Sequence, residues 1–307
     1  MSIILRLVLS VVLSIASCLS LASEPPQGSS LRFTPSGSSE YTFNTGTVSG
    51  KLRADGESVG PGEVIYSETG QKISRVYGWL NHYRVFSDGV RYGRGMRHLP
   101  SNVEAHEDGS VTVVWPAEET RPFRMQATYR WVAPNRLDVD TEVRAEEALS
   151  GFELFLASYF PDTFTDVRIP VEASDGDGPD WVFAPEEDGY RQAFARDDAA
   201  VALLEDGRWE LEPHPIEWTL QPQWVWRPMS LRRDPETGVT VLFMTDREET
   251  FIVYSPHSTQ RHYALYYSLF GRDLEPGEVA TARSRAVVLN NPDEEEILRE
   301  ARTFFGD

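Results

Sequence analysis

The 307 residues contain one cysteine, Cys18, close to the start of the chain. If that segment is removed on maturation no thiol remains, so disulfides, zinc–thiolate sites and a cysteine nucleophile are excluded together. Lysine is nearly missing too. Lys51 and Lys72 are the only two, so almost all positive charge is arginine, the better fork for carboxylates and the better stacking partner for rings. Basic residues as a whole are scarce: 29 against 48 acidic ones leave a formal net charge of −19. That balance speaks against nucleic acid and against an anionic membrane surface as partners. There is no Gly-x-Ser-x-Gly elbow, His-Glu-x-x-His motif or phosphate-cradling loop. No metal and no other cofactor is expected.

Arg6, the apolar run Leu7–Leu21 and the small-x-small Ser20-Leu21-Ala22 together have the form of a signal peptide over residues 1–22. The run is too short and serine-rich for a membrane span, so no membrane insertion of the mature chain is expected. Export to the periplasm or the medium is the expectation. Ile15-Ala16-Ser17-Cys18 also has the form of a lipoprotein box, which would make the protein an outer-membrane lipoprotein anchored at Cys18. Residues 23–39, rich in Pro, Gly and Ser, read as a flexible arm, and 40–307 as a single domain.

Period-two alternation dominates that domain. Phe123, Met125, Ala127, Tyr129 and Trp131 alternate with polar residues, as do Leu137, Val139, Thr141 and Val143. Pairing these segments about Pro134 sets Arg130 opposite Asp138, Thr128 opposite Asp140 and Gln126 opposite Glu142. Gly151–Phe160 is apolar on both faces and reads as a central strand covered on both sides. Further hairpins are expected from Ala199–Leu204 with Trp209–Leu211, and from Gly238–Thr245 with Phe251–Tyr254. Arg261–Phe270 and Ala280–Leu289 read as a closing pair. A terminal helix is signalled by a cap at Asn291 or Asp293, by Glu294–Glu296, and by the stripe Ile297, Ala301 and Phe304. The fold class is all-β: a large antiparallel β-sandwich with one short C-terminal helix.

Tyr77–His98 holds two of the six histidines, four arginines, Asn81, three tyrosines and Trp79 between glycines. It is too polar for core and too aromatic for a solvated loop, and suits a pocket for a polar ring. Gly78–Phe86, Phe152–Phe160 and His262–Asp273 together resemble the galactose mutarotase-like proteins, more narrowly an exported bacterial group within them. The resemblance spans most of the mature chain in its order of elements. It implies a β-supersandwich with a sugar-sized site on its concave face. Mutarotases use a histidine acid and a glutamate base. Asn81 and Arg84 are similar to that family's early Asn-Arg pair but are spaced apart, which speaks against mutarotation itself.

His82 and His98 are candidate acid/base groups, against the alternative of loop histidines bonded to carbonyls. Arg84, Arg91, Arg94 and Arg97 can clamp a uronate or sulfated sugar, or pair with surface carboxylates. Glu153 and His262 form the candidate catalytic couple, against a solvated sheet face. Trp224 and Trp226, with Trp218 before them, are a stacking platform or core. Asp175, Asp177 and Asp180 lack EF-hand spacing and read as a turn. The expected function is an exported carbohydrate-active protein with a saccharide ligand. It acts as an epimerase or lyase by His/Glu/Tyr proton transfer, or is a non-catalytic carbohydrate-binding or structural envelope protein.

Overall fold

The computed structural model describes residues 30–54, 60–174, 176, 178–184, 191–256 and 263–307. The strands in chain order begin with β1 (Ser30–Pro35), β2 (Glu40–Asn44), β3 (Val48–Arg53), β4 (Gly60–Tyr66) and β5 (Gln71–Lys72). These form a five-stranded antiparallel meander. Next come β6 (Asn81–Ser87), β7 (Val90–Arg91), β8 (Asn102–Ala105), β9 (Val111–Trp115), β10 (Phe123–Ala133), β11 (Arg136–Ala145) and β12 (Leu149–Phe160). Then come β13 (Asp166–Glu172), β14 (Pro179–Val182), β15 (Arg191–Ala195), α1 (Asp198–Leu204), β16 (Thr219–Leu220) and β17 (Met229–Arg233). β18 (Val239–Thr245), β19 (Thr250–Pro256), β20 (Tyr263–Leu274), β21 (Val279–Asn290) and α2 (Glu294–Phe305) end the chain.

A nine-stranded sheet, ordered β14-β13-β17-β18-β21-β11-β10-β9-β8, packs on a seven-stranded sheet ordered β16-β15-β19-β20-β12-β6-β7. Side chains from both meet in one apolar layer: Val85, Leu154, Leu156 and Leu265 from the smaller sheet, and Val113, Met125, Tyr129 and Val139 from the larger. Phe33 and Phe43 of the meander join the same layer at Trp131, 6.4 and 4.9 Å between ring centres. Two further clusters cover the outer faces. Phe155, Tyr159, Tyr254 and Tyr266 collect on the outside of the seven-stranded sheet, whereas α2 buries Ile297, Ala301 and Phe304 on Leu242, Met244 and Leu289 of the other.

The β10–β11 register is the one that charge complementarity predicts, with Arg130 paired to Asp138, Thr128 to Asp140 and Gln126 to Glu142. Asp138, however, turns to the other neighbouring strand, where Arg285 grips it at 2.5 and 2.8 Å. β12 lies between β20 and β6, buried on both faces as expected. α2 is capped by Asp293, which accepts from Glu296 N at 2.8 Å, and ends at Gly306 in the left-handed region.

Four expectations are corrected. Ser30–Pro35 is a strand, not an arm, because Phe33 has an apolar layer to enter. Ala199–Leu204 belongs to helix α1, whose start Asp197 caps through Ala200 N at 2.8 Å; Arg208–Glu210 is a 3₁₀ turn. Gly238–Thr245 and Phe251–Tyr254 are strands but do not pair, since β18 and β19 lie in different sheets. β20 and β21 likewise part company, each hydrogen-bonded on both sides to other strands. Strands buried on both faces carry no polar stripe to specify a partner, so chain adjacency is a poor guide there.

Candidate functional site

On the outer face of the seven-stranded sheet lies a cleft of about 440 Å³, within the range of small-ligand sites. An irregularity in β6 makes it. Leu154 pairs with Val85 and Leu156 with His82, so Tyr83 and Arg84 together oppose Phe155 alone. The extra residue breaks the alternation. His82 and Val85 face the sandwich interior, while Tyr83, Arg84 and Phe86 all face the aromatic outer cluster.

Arg84 is almost wholly buried, its Cζ 5.5 Å from the Tyr83 ring and 5.2 Å from Trp209. Nη2 donates to His214 O at 3.0 Å, while Nε and Nη1 have no hydrogen-bond partner among the described residues. Burial lowers its pKa, opposed by Tyr83, Tyr266 and Tyr159. Arg97, from the 3₁₀ turn Met96–His98, stacks on Tyr77 and Tyr83 at 4.7 and 4.6 Å. Arg191, His214, Tyr159, Tyr266 and Trp218 complete the wall. Tyr159 and Tyr266 are hydrogen-bonded to each other, and burial pushes the Tyr159 phenol up to about 12. No carboxylate is among the described residues lining this cleft. Beyond the ridge formed by Pro215, Ile216 and Trp218, a second cleft of about 410 Å³ has the opposite sign, with Glu205, Glu210 and Glu217 at its rim.

Of the residues singled out from sequence, Arg84, Arg97 and Trp218 line the cleft, as do Tyr77 and Tyr83 of the Tyr77–His98 stretch. Asn81 lies behind it, holding Tyr77 O through its amide at 2.8 Å. Arg91 does not line it either; its fork binds the carbonyls of Pro213 and, at 2.9 Å, Arg94, fixing the loop beside the cleft. Burial first, then the neighbouring Arg84, lowers Arg91 to about 10. His98 is exposed and accepts from Arg97 Nε at 3.2 Å.

His82 is placed on the wrong side for acid/base work in this cleft. It is fully buried between the sheets, hydrogen-bonded to Thr141 Oγ1 at 2.9 Å and to the Tyr129 hydroxyl at 3.3 Å, and burial lowers its pKa to about 3. Glu153 has no exposed surface and is ion-paired to Arg208 at 2.9 Å beneath the cleft wall. Burial raises its pKa against the pull of Arg208 and Ser268. Trp224 and Trp226 are no platform. They flank Val225, an isolated bridge partner of Val171; one packs on the outer aromatic cluster and the other beside α2 under Arg227. His262, Asp175 and Asp177 lie outside the described residues.

Sequence reasoning missed Arg191, Trp209 and His214. One signal was present: the run Arg208-Trp-Glu-Leu-Glu-Pro-His-Pro215 brackets a histidine between prolines beside a tryptophan, the mark of a stiff loop.

The Slr1438 protein of Synechocystis sp. PCC 6803 is similar to this chain with a TM-score of 0.54 and 13% identity, covering 85% of this chain and 99% of that one. The α-N-acetylgalactosaminidase NagBb of Bifidobacterium bifidum is similar at 0.52 and 12%, over 86% of this chain but 38% of its own. A putative aldose 1-epimerase of Escherichia coli K12 aligns at 0.47 and 13%, over 82% and 99%. No family model and no curated protein matches the chain. The likeness at such identities is one of fold: the large antiparallel β-sandwich that the sequence resemblance implied.

Proposed function

We propose that this chain is an exported carbohydrate-binding protein of the galactose mutarotase-like superfamily whose cleft takes an anionic saccharide, a uronate or a sulfated sugar. The composition of the cleft carries the reading. Arg84, Arg97 and Arg191 stand among tyrosines and Trp218, with no carboxylate among the described lining residues, in a chain of net charge −19. Aromatic faces stack on the C–H faces of a pyranose, and guanidinium groups match the geometry of a carboxylate or sulfate. A glycosidase among the structural neighbours, an α-N-acetylgalactosaminidase, supports a carbohydrate ligand. Calorimetric titration with trigalacturonate and with neutral maltotriose tests it. Preference for the charged ligand is expected; equal binding of both removes the arginine clamp, and binding of neither removes the site. Sequencing the mature N-terminus after expression of the full chain tests export and separates cleavage after Ala22 from a lipid anchor at Cys18.

A second reading, proton transfer at the bound sugar by an epimerase or lyase, is favoured by the hydrogen-bonded Tyr159–Tyr266 pair beside Arg84. Solvent deuterium entering the sugar, or an unsaturated product absorbing in the ultraviolet, would establish turnover; neither appearing leaves a binder.

A further inference from the structure

The wall of the cleft stands on a carboxylate that never touches it. Glu153 sits at the centre of β12 with no exposed surface, outside the residues that line the cleft. Its Oε2 accepts from Arg208 Nη1 at 2.9 Å, and its Oε1 accepts the Ser268 hydroxyl. A buried ion pair is weak support for stability, since apolar side chains of similar volume often hold a core as well; what this one fixes is the geometry around it.

Two branches lead outward from it. In the first, Arg208 spends its remaining donors on Asp206, at 2.7 to 3.0 Å, and on Gly151 O at 3.0 Å. That grip sets the turn carrying Trp209, whose ring lies 5.0 Å from Phe155 and 5.2 Å from Phe86 and forms the surface under Arg84. In the second, Ser268 is hydrogen-bonded at 3.0 Å to Tyr254, whose ring lies 4.4 Å from Trp218. Trp209 and Trp218 then meet edge to face at 5.4 Å. Both branches therefore converge on the cleft.

We propose that Glu153 is a positioning residue of the cleft, acting through Arg208 and Trp209 on Arg84 and through Ser268 and Tyr254 on Trp218. The role rests on the reading of the cleft as a site for an anionic saccharide.

The test is Glu153→Gln, which keeps size and removes charge. The near-ultraviolet circular dichroism of the tryptophan cluster and the preference for trigalacturonate over maltotriose are compared with wild type. Expected is a folded protein with a weakened tryptophan signal and about tenfold lower affinity for the charged ligand, the order carried by one charge-assisted hydrogen bond. A wild-type signal together with wild-type charge preference overturns the proposal. Where Glu153→Gln fails to fold, the double variant Glu153→Met, Arg208→Met, which buries no charge, is read by the same two measurements. If the wild type binds neither saccharide, the anionic-site reading fails on its own, and the near-ultraviolet signal decides Glu153: unchanged, it overturns the role.

Discussion

Arg84 lies between Trp209, 5.2 Å from its guanidinium carbon, and the carbonyl of His214, which accepts from Nη2 at 3.0 Å. The tryptophan and the carbonyl orient the fork while Nε and Nη1 stay unused by the described residues. Arg84→Gln is therefore expected to weaken binding of trigalacturonate by about tenfold or more, and that of a neutral trisaccharide much less. Calorimetry on both ligands checks it; an equal loss for the two would mean that Arg84 only holds the loop.

Gly95 touches the same wall from behind. Its backbone is extended, so no strain attends a side chain there, but a Cβ would stand 2.6 Å from Cδ2 of the Tyr83 ring. Gly95→Ala must displace that ring, which lines the cleft. The expected result is weaker saccharide binding with a stability loss of about 1–3 kcal/mol, measured by urea unfolding.

His82 makes stability depend on pH with a predictable sign. The native state keeps it neutral down to about pH 3, whereas the unfolded chain protonates it near 6.5. Its contribution is complete above pH 6.5 and lost as pH falls toward 3, at up to about 1.4 kcal/mol per pH unit. The carboxylates titrate in the same window, so the measurement is the difference between wild type and His82→Gln. A flatter acid limb is expected for the variant, and superimposable curves would contradict the burial.

Asp138 and Arg130 share a cross-strand pairing but not a fate. Asp138 and Arg285 are each about one-tenth exposed and 2.5 Å apart, whereas Arg130 reaches the exposed Asp108 and Asp140 at 3.3 and 3.7 Å. Asp138→Asn is expected to cost about 3 kcal/mol, and Arg130→Ala under about 1 kcal/mol. Equal effects in chemical denaturation would show that the buried pair is no stronger than the exposed ones.

These contrasts mark how far the sequence was readable. The β10–β11 ladder was legible because one face is wet, so Arg130, Asp138 and Glu142 report the register directly. β18 to β21 were legible as strands but not in their partners, because residues such as Leu242 and Val253 are buried whichever sheet they join. α1 was misread because Ala199–Leu204 has nothing polar enough to show a helical stripe over so short a run. Of the side chains that line the cleft, composition singled out Arg84, Arg97 and Trp218. It misplaced His82, whose partners Thr141 and Tyr129 come from the opposite sheet, a contact that no local pattern encodes.

The extra residue in β6 has one more implication. Strict alternation would send Arg84 into the apolar layer with His82, where a guanidinium has nothing to neutralise it. Shortening β6 by one residue at Tyr83 or Arg84 would thus do more than trim the wall. It would close the irregularity, restore one-to-one pairing with Phe155, and leave only one of the two side chains, the ring or the guanidinium, on the outer face. Whether this face presents a guanidinium beside the ring is therefore written partly as a count of residues, and a comparison of related chains that tolerates a gap there would be comparing different surfaces.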